Sequence, residues 1–198
     1  MTPAQNAQKY YKKYAKLKRT QEIVSKQRTE VLERLKYLKS ALVHVDNAES
    51  LIDLAEIGDE LGANKPDPKK KKKDMPLPFR SYEIEGFKIL AGRNNVQNDR
   101  LLKAISSEDT WLHTQKYHSS HVAILSEGKA IPDKVLLAAA EICAYYSDGR
   151  EGTKIPVDYT LKKFVKKPPK AVAGFVIYTD YKTILVEPKQ HSEEIKGC

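Results

Sequence analysis

The chain has 198 residues, enough for one ordinary domain and an extension. Its 35 Lys and Arg outnumber its 26 Asp and Glu, and the net charge of +9 favours a polyanionic partner such as nucleic acid, acidic lipid or sulfated sugar. A basic protein without such a partner is the alternative. Two cysteines exclude a disulfide framework, and the polar N-terminus and short apolar runs predict a cytoplasmic protein without a membrane partner.

Residues 1–61 are predicted to form one long helix of a coiled coil. Apolar side chains recur with the 4–3 spacing of a/d positions, forming a stripe, here called the seam. The apolar residues of a single seam stay exposed to water, so a coiled coil requires a second helix. That helix comes either from a second copy of the chain or from missing N-terminal sequence. We favour the missing helix. The seam comprises Tyr10, Tyr14, Leu17, Val24, Val31, Leu35, Leu38, Leu42 and Val45.

Near the start of this helix, basic residues and tyrosines interleave in the stretch 8-QKYYKKYAKLKR-19. Lysines neutralise phosphates and tyrosine rings stack on bases, a combination typical of nucleic-acid binding. The alternative is a solvated helix face with Tyr10 and Tyr14 in the seam. The predicted RNA- or ribosome-binding lysines are Lys9, Lys12, Lys13 and Lys16.

After a predicted linker at 62–78, which contains four prolines and five consecutive lysines, the pattern changes to that of an α+β domain over 79–190, with a tail at 191–198. We expect a mixed sheet of about five to seven strands with one main packed helix. The expected elements are a hairpin at 80–92, a helix in 93–106 capped by Asn94 or Asn95, strands at 109–113 and 120–125, a helix within 132–149, and a hairpin turning at Thr179-Asp180.

The stretch 109-DTWLHTQKYHSSHV-122 holds the single tryptophan and three histidines. Structural zinc sites usually include thiolates, and neither cysteine is near in sequence. The serines lack the G-x-S-x-G turn of a nucleophile, and phosphate-binding glycine motifs are absent from the sequence. We therefore predict no enzyme, no metal and no cofactor, with an enzyme using the histidines as the weakest alternative. Trp111 either fills the core or, if exposed, serves for stacking on bases.

Two segments together resemble the signature of the NFACT-R domain, which is found at the C-terminus of RqcH-like ribosome quality-control factors. They are 92-GRNNVQND-99 and 109-DTWLHTQKYHSSHV-122. The resemblance departs at His118-Ser119-Ser120, where the family usually has a glycine. It implies a long coiled-coil helix followed by a compact mixed α/β-sheet domain. It also implies an RNA- or ribosome-facing signature surface formed by Gly92, Arg93, Asn94, Gln97, Asn98, Asp109, Trp111, His113 and His121.

The resemblance also implies a function. In such factors, the full-length protein is expected to bind a large ribosomal subunit obstructed by peptidyl-tRNA and to hold tRNA there. The stalled chain then gains a C-terminal tail, alanine-rich in bacteria. This chain would be a C-terminal fragment that supplies an RNA- and ribosome-binding module. Members of the family are also described as fibronectin-binding proteins, which makes an adhesin with host fibronectin as its partner, exposed at the cell surface by an unconventional route, the alternative function.

Overall fold

The structure is a computed structural model that describes residues 1–63 and 78–192. The predicted linker lies almost entirely outside the described residues, as does most of the predicted tail. The chain divides into two compact units, Met1–Leu38 and Lys39–Cys198. Within the described ranges, no helix is long and apolar enough to cross a membrane.

Two helices occupy the region in which the sequence predicts one. Helix α1 spans Pro3–Asp46, and helix α2 spans Leu51–Glu60. The break is stabilised by a capping box, because the Ser50 hydroxyl accepts from the backbone N–H of Asp53 while the Asp53 carboxylate accepts from the N–H of Ser50. The prediction of an uninterrupted helix to residue 61 is therefore wrong at this break.

In chain order, the described part of the second unit then contains β1 Arg80–Ile84, β2 Phe87–Ala91, α3 Asn95–Ala104, β3 Thr110–Thr114, β4 Val122–Leu125, α4 Asp133–Tyr145, β5 Ile155–Leu161, β6 Val165–Lys166, β7 Ile177–Tyr178 and β8 Lys182–Val186. Six of these strands form a sheet in the order β1-β2-β4-β3-β5-β8, and every pairing is antiparallel. A short 3-10 helix at Lys162–Phe164 follows β5, and β6 pairs with β7 in a separate two-stranded sheet. The predicted α+β class is confirmed.

Helix α4 covers one face of the six-stranded sheet and forms the main core with it. The alanine-rich side of this helix permits close packing on strand residues such as Leu112 and Ile124, which are fully buried. The opposite face of the sheet packs against α3 through a smaller cluster around Leu101 and Ala123. Alternation along β3 therefore sends Leu112 to the α4 side and Trp111 to the α3 side.

The predicted hairpin at Thr179-Asp180 does not form, because β7 and β8 belong to different sheets. The carbonyl groups of Thr179 and Asp180 instead accept hydrogen bonds from the Thr160 hydroxyl, at 3.2 and 2.9 Å. These bonds hold the segment against β5 while the chain passes from one sheet to the other. The prediction failed because the partners of β7 and β8 are distant in sequence.

Candidate nucleic-acid interface

The signature segment, residues 92–98, begins with a helix start whose amides are used within the protein. Asn94 is the N-cap of α3, and its Oδ1 accepts from the backbone N–H of Gln97 at 2.8 Å. The Nδ2 of Asn94 and the Nε2 of Gln97 both donate to the Glu56 carboxylate, at 2.8 and 3.0 Å. Because both side chains are buried, they fix α2 against α3 and do not form part of an open surface.

Asn95 joins the end of α1 and α2 to α3. Its Oδ1 accepts from the Ser40 hydroxyl at 2.7 Å and lies 3.3 Å from Nε2 of His44, while its Nδ2 donates to Glu60 at 2.9 Å. Ser40 and His44 lie one helical turn apart, on a polar side of α1 that the seam does not include. The heptad pattern therefore gave no indication of this buried contact.

Gly92 and Asn98 connect α3 to the strand entered at His121. The N–H of Gly92 donates to the carbonyl of His121 at 3.0 Å, and the N–H of His121 donates to Oδ1 of Asn98 at 3.0 Å. A Cβ at Gly92 would lie 2.1 Å from that same Oδ1. Glycine is required because the Asn98 amide occupies the space of a side chain.

Arg93 is the charged residue of the signature segment, and its side chain is 14% exposed. Its guanidinium lies 3.6 Å from Glu49 and 3.7 Å from Asp53, and its Nε donates to the carbonyl of Pro78 at 3.2 Å. These two carboxylates offset its positive charge. Arg93 is therefore poorly placed to act as a free phosphate-binding cation.

Asp109 holds the turn before β3. Its carboxylate accepts from the backbone N–H of Ser106 at 2.8 Å and from the N–H of Ser126 at 2.9 Å, which ties β3 to the end of β4. The side chain is buried, so its charge is satisfied by these donors. Asp109 therefore stabilises the turn before β3 by accepting hydrogen bonds from backbone N–H groups.

Trp111 lies in an enclosed cluster of rings. It is 0% exposed, and its ring lies 5.7 Å from that of His113 in a stacked arrangement and 5.2 Å from that of His121. The ring of Tyr178 covers it at 4.9 Å. Of the two interpretations left open by the sequence, the structure shows the buried one, and base stacking by Trp111 would require this cluster to open.

Burial keeps His44, His113 and His121 neutral near pH 7. Desolvation lowers the pKa of His44 and of His113 to about 4, and it lowers that of His121 well below its usual value. His113 is partly exposed, and its Nδ1–H donates to the carbonyl of Thr114 at 2.8 Å. Neutral imidazoles do not supply positive charge for phosphates.

The predicted lysines of α1 are all exposed, and they lie in the first unit. Tyr10, Tyr11 and Tyr14 beside them are also exposed, with the rings of Tyr11 and Tyr14 6.5 Å apart. This stretch has the accessible cations and rings that the signature segment lacks. Direct contact with RNA stays a prediction for both sets, but accessibility favours Lys9, Lys12, Lys13 and Lys16.

The serine, cysteine and histidine residues near the ring cluster form part of the core. The Ser119 hydroxyl donates to the carbonyl of Ser120 at 3.2 Å and lies 3.7 Å from the Cys143 sulfur. Burial raises the pKa of the Cys143 thiol to about 12, so it is protonated and a poor nucleophile. Among residues 1–63 and 78–192, no three His, Cys, Asp or Glu side chains are grouped as metal ligands.

Sequence reasoning missed two contributors to this region. The acidic residues of α2 supply acceptors for the signature amides, as Glu56 does for Asn94 and Gln97. Tyr178 in β7 closes the ring cluster from outside the signature motif. The capping-box pattern Ser50-x-x-Asp53 could have shown where α2 begins, but the position of β7 over Trp111 depends on distant contacts.

Comparison with family models gives two adjacent matches. Residues 1–75 match the NFACT N-terminal and middle domains, and residues 75–177 match the NFACT protein RNA binding domain. The chain is also similar to the solved structure of the C-terminal part of the fibronectin/fibrinogen-binding protein from Streptococcus suis, with a TM-score of 0.85 and 34% sequence identity. The match covers 96% of this chain and 78% of that one.

Curated relatives extend the same result. The Rqc2 homolog RqcH of Bacillus subtilis is 36% identical over 197 residues, which cover 94% of this chain and 34% of the relative. The protein of the same name from Streptococcus pneumoniae is 36% identical over 198 residues, or 95% of this chain and 35% of the relative. The chain thus spans about a third of the length of these relatives. Because the RNA binding domain model alone covers more than half of its 198 residues, the chain belongs to the NFACT family.

Proposed function

We propose that the chain is the RNA- and ribosome-binding C-terminal part of an RqcH-like ribosome quality-control factor. The observation that carries this proposal is the match of residues 75–177 to the NFACT RNA binding domain. The exposed lysine and tyrosine stretch of α1 supports it, because accessible cations and rings suit an RNA surface. In the longer protein, this part helps to hold tRNA on an obstructed large subunit while the nascent chain receives its alanine tail.

The proposed role is binding and not catalysis. The polar groups of the signature are used by hydrogen bonds inside the domain, as Asn94, Gln97 and Asn98 illustrate, so they are suited to holding a shape. The exposed seam of α1 is proposed to pair with a helix of the longer protein. Its residues Leu17, Val24 and Val31 are all more than half exposed, which is typical of a coiled-coil strand without its partner.

Co-sedimentation of the chain with purified large ribosomal subunits tests the proposal. We expect saturable binding that weakens steeply with salt. Replacing four lysines by glutamine, K9Q/K12Q/K13Q/K16Q, should weaken it and reduce the log–log salt slope by about three, at roughly 0.7–0.9 per phosphate contact. The charge-matched control K129Q/K134Q/K154Q/K189Q removes four exposed lysines from the second unit. Equal losses in the two variants would contradict a specific contact through α1, and absence of binding by the unmodified chain would contradict the proposal.

An adhesin is the second candidate, favoured by the name of the similar structure, a fibronectin/fibrinogen-binding protein. The same basic surface could attract an acidic glycoprotein. Soluble fibronectin therefore serves as the rival ligand in the assay. Tight, saturable fibronectin binding without ribosome binding would favour the adhesin.

A further inference from the structure

A lysine-rich segment outside the signature lies across the α3 side of the domain. This segment, residues 162–182, is here called the arm, and it includes the 3-10 helix, β6, β7 and the first residue of β8. It contains six lysines and a single acidic residue, Asp180, for a net charge of +5. The arm therefore concentrates positive charge in a short stretch of the second unit.

The inner side of the arm is anchored on the ring cluster. Tyr178 lies against Trp111, and its hydroxyl donates to the Asp158 carboxylate at 2.8 Å. Asp158 also accepts from the Thr183 hydroxyl at 2.6 Å, so both ends of the β7–β8 connection are bound to one buried carboxylate. Val165, opposite Tyr178 in the two-stranded sheet, is buried as well.

The signature helix α3 holds the loop of the arm. The N–H of Gly174 donates to Oδ1 of Asp99 at 3.2 Å, and Lys167 forms an ion pair with the same carboxylate. A Cβ at Gly174, where φ is +77°, would lie 2.5 Å from Oδ1 of Asn95. The contacts of Asp99 and Asn95 therefore help to fix the position of the arm.

The outer side of the arm has the opposite character. Lys166 and Ile177 are directly opposed in the β6–β7 pair and both point outward, because their neighbours Val165 and Tyr178 point inward. Ile177 is 53% exposed. Elsewhere in the arm, Phe175 and Tyr181 are 48% and 46% exposed, and the ring of Tyr181 lies edge-on to that of Tyr178 at 5.2 Å. Apolar and aromatic side chains exposed beside lysines are a feature of binding surfaces.

Most of the arm's lysine charge is uncompensated within the described part of the chain. Lys163 pairs with Glu108 and Lys167 pairs with Asp99. The other four lysines of the arm form no ion pair with any residue of 1–63 or 78–192, and at least three of them are exposed. These four are Lys162, Lys166, Lys170 and Lys182.

We propose that the outer side of the arm binds unpaired RNA, with Phe175 and Tyr181 stacking on bases and Lys166 and Lys170 contacting phosphates. The inference rests on the proposed function and names a contact surface for it. Unpaired RNA fits because a duplex hides its base faces, whereas exposed rings gain most from accessible bases. A purely apolar protein partner would not use a net charge of +5.

The test measures fluorescence anisotropy of a labelled single-stranded RNA of about 12 nucleotides, within the usual ~4–16 nucleotide range of such sites, and of a duplex of equal length. The full chain should bind the single strand more tightly than the duplex. F175L/Y181L keeps apolar bulk but removes both rings, and we expect it to weaken binding about tenfold or more. K166Q/K170Q should lower the salt slope by about 1.4, compared with no change in the slope for the control K154Q/K189Q.

Three results would overturn the inference: arm variants that bind the single strand like the unmodified chain, a preference for the duplex, or equal losses in K166Q/K170Q and its control. Fluorescence of Trp111 checks that each variant keeps the ring cluster folded. If F175L/Y181L loses its fold, K166Q/K170Q still decides the question. Co-sedimentation with large subunits separates the two proposals. Normal subunit binding by the arm variants would contradict this inference alone. An unmodified chain that binds neither RNA nor subunits would contradict the proposed function.

Discussion

The signature segment and the arm use polar residues in opposite ways. In residues 92–98 the amides face inward and are consumed by hydrogen bonds to Glu56, His121 and the start of α3. In the arm, lysines and exposed rings face outward. A motif that identifies a family can therefore specify the framework, while a less distinctive stretch supplies the accessible chemistry.

The largest effect that would test this contrast is expected for Gly92→Ala. The new Cβ would displace the Asn98 amide and leave its buried partner unpaired, so we expect a loss of about 3 kcal/mol in the free energy of unfolding. Urea denaturation measures it. Val96→Ala, at an exposed position of α3, is the control and should change stability by less than about 0.5 kcal/mol. A stable, folded G92A protein would mean that the signature segment is not a rigid framework.

A smaller effect is expected from the pH dependence contributed by His44. Its pKa falls from 6.5 in the unfolded chain to about 4 in the folded one, so the unfolded state binds the proton more readily between these values. Its contribution is present above pH 6.5 and is lost as the pH falls toward 4. Between pH 7 and 5, unmodified protein should lose about 2 kcal/mol more stability than His44→Gln.

Urea denaturation at the two pH values measures this difference. His118→Gln, in the partly exposed loop before Ser119, serves as the matched histidine variant. If H44Q and the unmodified chain lose the same stability on acidification, burial of His44 does not control the acid response of the second unit.

The smallest effect, and the sharpest one for the contrast, is expected for Arg93→Gln. Because the Arg93 side chain is mostly buried and lies 3.7 Å from the buried Asp53 carboxylate, its removal should cost about 1 to 2 kcal/mol of stability. Its affinity for single-stranded RNA should equal that of the unmodified chain in the anisotropy assay. A loss comparable to that of K166Q/K170Q would instead support the direct RNA contact predicted for Arg93 from the motif.

Local signals in the sequence predicted much of the fold. Glu85-Gly86 marks the turn between β1 and β2, whose register closes at Ile84 and Phe87, and Asn94 caps α3 as expected. Pro132 precedes α4, as the apolar run after it suggested. Each of these features depends on residues within a few positions of one another, which is why pattern alone was sufficient.

The features that escaped prediction depend on distant partners. Trp111 and the amides of Asn94, Gln97 and Asn98 are polar or amphipathic, and their burial follows only when α2 and β7 bring their partners. The prediction for α1 likewise rested on the apolar residues of the seam. A second, polar face that includes Ser40 and His44 carries its buried contacts near residue 95. Sequence periodicity reports apolar burial well and paired polar burial poorly.

The position of β8 at the end of the sheet has a consequence for association between molecules. Within the described residues, its outer side has no strand partner, and such an edge is a template for pairing with another chain. Lys182 opens the strand and Pro188 follows shortly after it, and both residue types discourage addition of a further strand. Lys182 therefore protects the edge of the sheet against pairing with another chain, in addition to contributing charge to the arm. Neutralising it would invite self-association and confuse any measurement of affinity, which is a reason to alter Lys166 and Lys170 in its place.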